Sequence, residues 1–124
     1  MSSNFDKMQE VGKMRRDGLP VRVEVIESKC AKFKSNVGII KTVDKVDYHI
    51  LMTDNDGRLK SIIICLGEFE ISESQPEGKE IKKWKKTILK ELISDSLDIV
   101  NDYIEKANVA MKKLEKLVKE KKNL

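Results

Sequence analysis

Leu19-Pro20-Val21-Arg22-Val23-Glu24-Val25 is the stretch on which the fold turns. Upstream of it the apolar residues follow helical spacing. Within it they switch to every second position. Leu19-Pro20 forbids continuation of a helix, because a proline ring clashes with the preceding turn and its nitrogen has no proton to donate. Val21, Val23 and Val25 then alternate with Arg22 and Glu24, the pattern of a half-buried strand.

Working back toward the N-terminus, Ser3 or Asn4 is placed to cap a short helix. Phe5, Met8, Val11 or Gly12, and Arg15 carry its expected spacing, and Gly18 ends it. Working forward, a second strand is expected over Phe33 to Val43, with Gly38 marking a bend or bulge. A third runs from Tyr48 to Thr53. Asp54-Asn55-Asp56-Gly57 is a hairpin turn, since these residue types tolerate the backbone conformations a tight reversal needs. Ile62, Ile63, Ile64, Cys65 and Leu66 form a continuous apolar run, which predicts a strand covered on both faces. Gly67 interrupts it, and Phe69 and Ile71 resume alternation, leaving Glu68, Glu70 and Glu73 toward water. Four or five short strands in so few residues must curl or be covered, and a small barrel is the economical solution.

Ser74-Gln75-Pro76-Glu77-Gly78 reads as a linker. From Lys79 to Leu124 there is neither Gly nor Pro. Ile81, Trp84, Ile88 and Leu92 make one apolar helical stripe. Ser94-Asp95-Ser96 is a plausible break and new N-cap, giving a pair of helices, although a single long helix can also pass through it. Beyond it Ile93, Leu97, Val100, Ile104, Ala107, Met111, Leu114 and Val118 step alternately by four and three, a heptad seam of just under four repeats. Tyr103, Ala110 and Leu117 flank one side of the seam and Asn101 and Asn108 the other. The stripe is therefore wide, as in a helix packed into a bundle or onto another copy.

The chain of 124 residues carries 25 basic and 21 acidic side chains. The net charge is +1 over residues 1–20, −1 over 21–73 and +4 over 74–124, so the basicity belongs to the C-terminal part. No apolar run approaches the roughly 20 residues that span a bilayer. No basic start leads into an apolar core, so a cytoplasmic protein without membrane association is expected. Cys30, Cys65 and His49 are the only residues of their types, too few for a zinc site or a disulfide scaffold. Buried reduced thiols are the expectation, and a Cys–His nucleophilic pair lacks an orienting third group. No catalytic residue, metal or cofactor is expected. The Asp54–Gly57 turn has calcium-loop lettering but lacks the spaced Glu ligand and flanking helices.

The order of elements, together with Gly38-Ile39-Ile40-Lys41-Thr42-Val43-Asp44, resembles the Sm-like fold, with the bacterial Hfq-type RNA chaperones the nearest example. The resemblance covers residues 4–72. Other small barrels, the YolD-like proteins among them, show a similar Gly-x-Ile-x-x-Val-Asp step. About two more residues follow Asp44 than in the Hfq pattern. Ser61-Ile62-Ile63-Ile64-Cys65 stands where Hfq-type proteins carry a Tyr-Lys-His element, so no RNA-binding residues carry over. The N-terminal tryptophan motif of YolD-like proteins is also missing. What the Sm-like resemblance implies is a ring oligomer built by strand pairing between subunits.

The expected fold is thus α+β: a short N-terminal helix and small antiparallel Sm/SH3-like β-barrel over residues 1–73, a linker over 74–78, and a C-terminal pair of helices over 79–124. The expected function is that of a non-enzymatic, homo-oligomeric binding or regulatory protein that recognises a protein partner or a small anionic ligand. Ile62, Ile64, Leu97, Val100, Ile104, Met111 and Leu114 are the candidate oligomer contacts. The second reading is nucleic-acid binding, through the barrel or through Lys82, Lys83, Lys86 and Lys90 with Trp84 for base stacking. Against it stands the absence of any arginine after Arg58, since arginine is the preferred bidentate phosphate reader. An enzyme using Cys30, Cys65 or His49 comes last.

Overall fold

Ser3 caps the first helix, its hydroxyl accepting the Asp6 N–H at 3.1 Å. The computed structural model describes residues 3–124; Met1 and Ser2, the start of the expected first segment, lie outside the described residues. The elements are α1 (Asn4–Arg16), β1 (Arg22–Val25), β2 (Val37–Asp44), β3 (Asp47–Thr53), β4 (Leu59–Ile64), β5 (Phe69–Ile71) and α2 (Lys79–Lys122). Short 3-10 turns cover Glu27–Lys29 and Leu66–Glu68. The chain forms two compact units, Met1–Ile88 and Leu89–Leu124.

The first unit is α+β. Its five strands form one antiparallel sheet in the order β4-β3-β2-β1-β5. The expected barrel is corrected: β4 and β5 are the two edges of an open sheet and do not pair with each other. With β5 only three residues long and β1 only four, little ladder is available to close a cylinder.

Val21, Val23 and Val25 are buried while Glu24 is exposed, as the alternation predicts. They join Val11, Ile40, Tyr48, Ile50, Met52, Ile64 and Phe69 in one core. The Tyr48 and Phe69 rings meet at a tilt within it, centroids 5.1 Å apart. The strand covered on both faces is β3, where Ile50, Leu51 and Met52 are at most 1% exposed. The triple isoleucine of β4 is not so covered within its chain: Ile64 is core, Ile62 is half-buried and Ile63 is 59% exposed. A run of apolar residues does not say whether its strand is central, and β4 has a neighbour on one side only.

Gly38 is not a bend. It lies in regular pairing with Val23, and the bulge falls between Ile40 and Thr42. Its role is close approach: a Cβ there would stand 2.5 Å from the Ile50 side chain and 2.8 Å from the Leu51 carbonyl. The hairpin between β3 and β4 forms as expected. The Asp54 carboxylate accepts the N–H groups of Asp56 and Arg58, each at 2.9 Å, and Gly57 adopts a φ of 83°.

The helix α1 forms with the expected spacing but turns a different face inward. Phe5 and Met8 are exposed, and the inward face is Lys7, Val11 and the half-buried Met14. This face has the same helical spacing, but its first member is a lysine whose methylene stem is buried and whose ammonium is held by carbonyls.

Residues 74–78 are tied to the sheet. The Gln75 side-chain amide accepts the Arg22 N–H at 2.8 Å and donates to the Arg22 carbonyl at 2.8 Å, as a neighbouring strand would. Arg22 in turn donates to the Ser74 carbonyl and pairs with Glu80 in the first turn of α2. The expected pair of C-terminal helices is corrected to one: α2 runs unbroken for 44 residues. Ser94, Asp95 and Ser96 are weak helix formers, costing only tenths of a kcal/mol each, roughly, and no Gly or Pro accompanies them to end the helix.

Candidate functional site

The second unit exposes a long row of apolar side chains. Leu89–Leu124 is helix throughout except at its end, and every large apolar side chain in it but Leu92 is exposed. Leu97, Val100, Ile104, Met111 and Leu114, five of the residues expected to mediate self-association, are 50–62% exposed and share one side of the helix. The helix brings them together because four-then-three spacing advances about two turns per heptad. Ile93 and Val118 extend the same seam at its ends. Near its start, Leu89, Leu92, Ile93, Ser96, Leu97 and Val100 line a shallow apolar groove. The other two expected contacts, Ile62 and Ile64, lie on β4. Ile64 belongs to the core of its own chain, and the large apolar residue that the strand exposes is Ile63.

Charge on this unit lies mostly off the stripe and off the two rows that flank it. Residues 91–105 carry five acidic groups and no basic one, whereas residues 106–122 carry seven lysines and two glutamates. An ion pair of Lys106 with Asp102 at 3.0 Å joins the two halves along the helix.

The lysine row lies mostly in the first unit, at the start of α2. Lys82, Lys83, Lys86 and Lys90 are all exposed, and Trp84 beside them is half-buried. Lys85 leans toward Gly18, its ammonium 3.4 Å from where a Cβ on that glycine would be. The row is a set of mobile point charges suited to an acidic surface or anion, and the half-buried indole offers less of a stacking platform than an open ring would.

The residues of the enzymatic reading are dispersed in role. Cys30 is half-buried, with its thiol against the Ile26 carbonyl at 3.2 Å. Burial first, and then the nearby Glu27 carboxylate, push its pKa up, the reverse of what activates a thiol. Cys65 is exposed at the end of β4. His49 sits in β3 opposite Thr42 and Ile63. Among the described residues no group of three or more His, Cys, Asp or Glu side chains is placed to hold a metal ion. No helix among them is long and apolar enough to cross a membrane.

Sequence reasoning missed Lys7, a buried lysine whose ammonium is held by main-chain carbonyls. Its Nζ donates to the Leu66 carbonyl at 2.6 Å and the Phe69 carbonyl at 2.5 Å, with Glu70 at 3.3 Å. The available signal was its helical spacing with Val11 and Met14. No protein-family model, curated protein or solved structure matches the chain.

Proposed function

We propose that this chain is a non-enzymatic, self-associating binding protein. The observation that carries the reading is the uncovered heptad seam of the second unit. Fully burying one large aliphatic side chain is worth about 1.5–3 kcal/mol, and a row of them at half exposure is a strong drive toward association. Self-association through this helix leaves the lysine row of α2 available for an acidic protein partner or a small anionic ligand. The Sm-like resemblance is compatible with this reading. A leading helix and a five-stranded antiparallel sheet with a free edge at β4 suit a fold that assembles by strand pairing, and Ile63 is an exposed apolar residue on that edge strand.

Sedimentation of the full chain tests the reading. An oligomer that dissociates in a Leu97→Asp/Ile104→Asp variant supports it, and a monomer at tens of micromolar overturns it.

The second reading, nucleic-acid binding by the same lysines, is favoured by the exposure of Lys82, Lys83, Lys86 and Lys90 along one stretch of helix. Binding of an RNA or DNA oligonucleotide that weakens steeply with salt and is lost in Lys82→Glu/Lys83→Glu/Lys86→Glu would favour it over the first. Binding indifferent to both salt and the substitutions would remove it.

A further inference from the structure

Resting on the self-association reading, we infer that the occupant of the α2 seam is a second copy of the same segment running in the opposite direction, with the two-fold axis between Glu105 and Lys106. Three features of the segment converge on that one register.

The first is the seam itself. Reversing the helix about that axis sets Ile93 opposite Val118, Leu97 opposite Leu114, Val100 opposite Met111 and Ile104 opposite Ala107. Every apolar seam position finds an apolar partner and none is left over. Sliding by a heptad in either direction strands residues at both ends. The seam is also closed symmetrically, since the next seam positions outward are Lys90 and Lys121. Ala107 is the one small member, and this register gives it the larger Ile104, whereas a parallel pair in register would set Ala107 against itself and leave a gap.

The second is charge. The acidic stretch, residues 91–105, comes to lie along the lysine-rich stretch, residues 106–122, of the other copy. Parallel copies would instead bring five acids beside five acids and seven lysines beside seven. The helix dipoles also oppose each other favourably in the antiparallel pair.

The third is the flanks. In antiparallel packing each row beside the seam meets its own counterpart. On one side Tyr103 falls beside Ala110 and Leu117 beside Ser96, large against small. On the other Asn101 falls beside Asn108, two amides able to bond each other. These rows hold few charges, and like charges meet at the two ends of the seam, where Lys90 falls opposite Lys121.

The test is disulfide trapping in the full chain carrying Cys30→Ser and Cys65→Ser. Leu97→Cys and Leu114→Cys are prepared separately, then mixed, unfolded, refolded together and oxidised. The antiparallel register expects several-fold more covalent dimer from the mixture than from either variant alone. Equal or greater cross-linking of each variant to itself overturns the orientation while leaving self-association standing. A monomer in solution that cross-links nowhere overturns both. Should a seam cysteine prevent folding, spin labels on the outer face replace it. Labels at Lys119→Cys then lie about 40 Å apart along the axis in the antiparallel pair and side by side in a parallel one.

Discussion

The Lys7 ammonium and the Phe69 carbonyl are hydrogen-bonded at 2.5 Å across 62 residues of chain, and the Lys7 side chain is only 2% exposed. The same ammonium lies 5.2 Å from the centre of the Phe69 ring. One lysine of α1 therefore holds the last and shortest strand of the sheet by its main chain and its side chain together. A three-residue edge strand has few ladder bonds of its own, and this clamp supplies what its outer side lacks.

Replacing the clamp while keeping its stem isolates the polar contribution. Lys7→Met should destabilise by about 1–3 kcal/mol, because the Leu66 and Phe69 carbonyls lose their donor. Urea denaturation would show it as a lower midpoint at unchanged slope. An unchanged midpoint would mean that water replaces the ammonium at no cost.

Gly38 and Gly67 are predicted to behave oppositely. Gly38→Ala drives a methyl into Ile50, the Leu51 carbonyl and Met52, at a cost of about 1–3 kcal/mol. Gly67→Ala meets nothing within 4 Å and should leave the melting temperature almost unmoved. Calorimetry on the two variants separates close packing from general glycine sensitivity.

The β3–β4 turn should be acid-labile. The Arg58 N–H, followed by the Asp56 N–H and Lys60, holds the Asp54 carboxyl below its ordinary value against the opposing effect of burial. A group whose folded pKa is depressed stabilises the fold above its ordinary pKa and loses that contribution as pH falls through the folded value. Glu68, held down chiefly by the Cys65 N–H, adds in the same sense. Asp54→Asn should therefore be less stable than the parent at neutral pH, with the gap narrowing in acid. Thermal melts from pH 7 downward check it, and a gap independent of pH would remove the carboxylate from the explanation.

The two thiols should react at different rates. Cys65 is exposed, whereas Cys30 is partly covered and its pKa is raised. Iodoacetamide at neutral pH should label Cys65 first, with Cys30 following several-fold more slowly until denaturant is added. Peptide mass mapping over time reads the order directly, and equal rates would show that Cys30 is freely reached.

The cap at Ser3, the strand of Val21, Val23 and Val25, the hairpin at Asp54–Gly57 and the seam from Ile93 to Val118 were all legible in the chain. Each rests on neighbours within a few positions, where periodicity and turn chemistry act. The lysine row was legible for the same reason, since helical spacing alone sets which side chains share a face. The exposed Ile63 and the buried Lys7 were not legible, nor was the openness of the sheet.

Those depend on partners far along the chain. The isoleucines of β4 and the residues Ile50, Leu51 and Met52 of β3 look alike as apolar runs. Only the strand order makes β3 central and β4 an edge. Lysine is ordinarily a surface residue, and only two carbonyls, 59 and 62 residues away, make its burial at position 7 tolerable. The sequence by itself determined the local elements and the apolar seam. The tertiary structure alone decided which strand is covered, which edge is open and which lysine is core, because a buried polar group or a covered face is defined by what the rest of the chain brings to it.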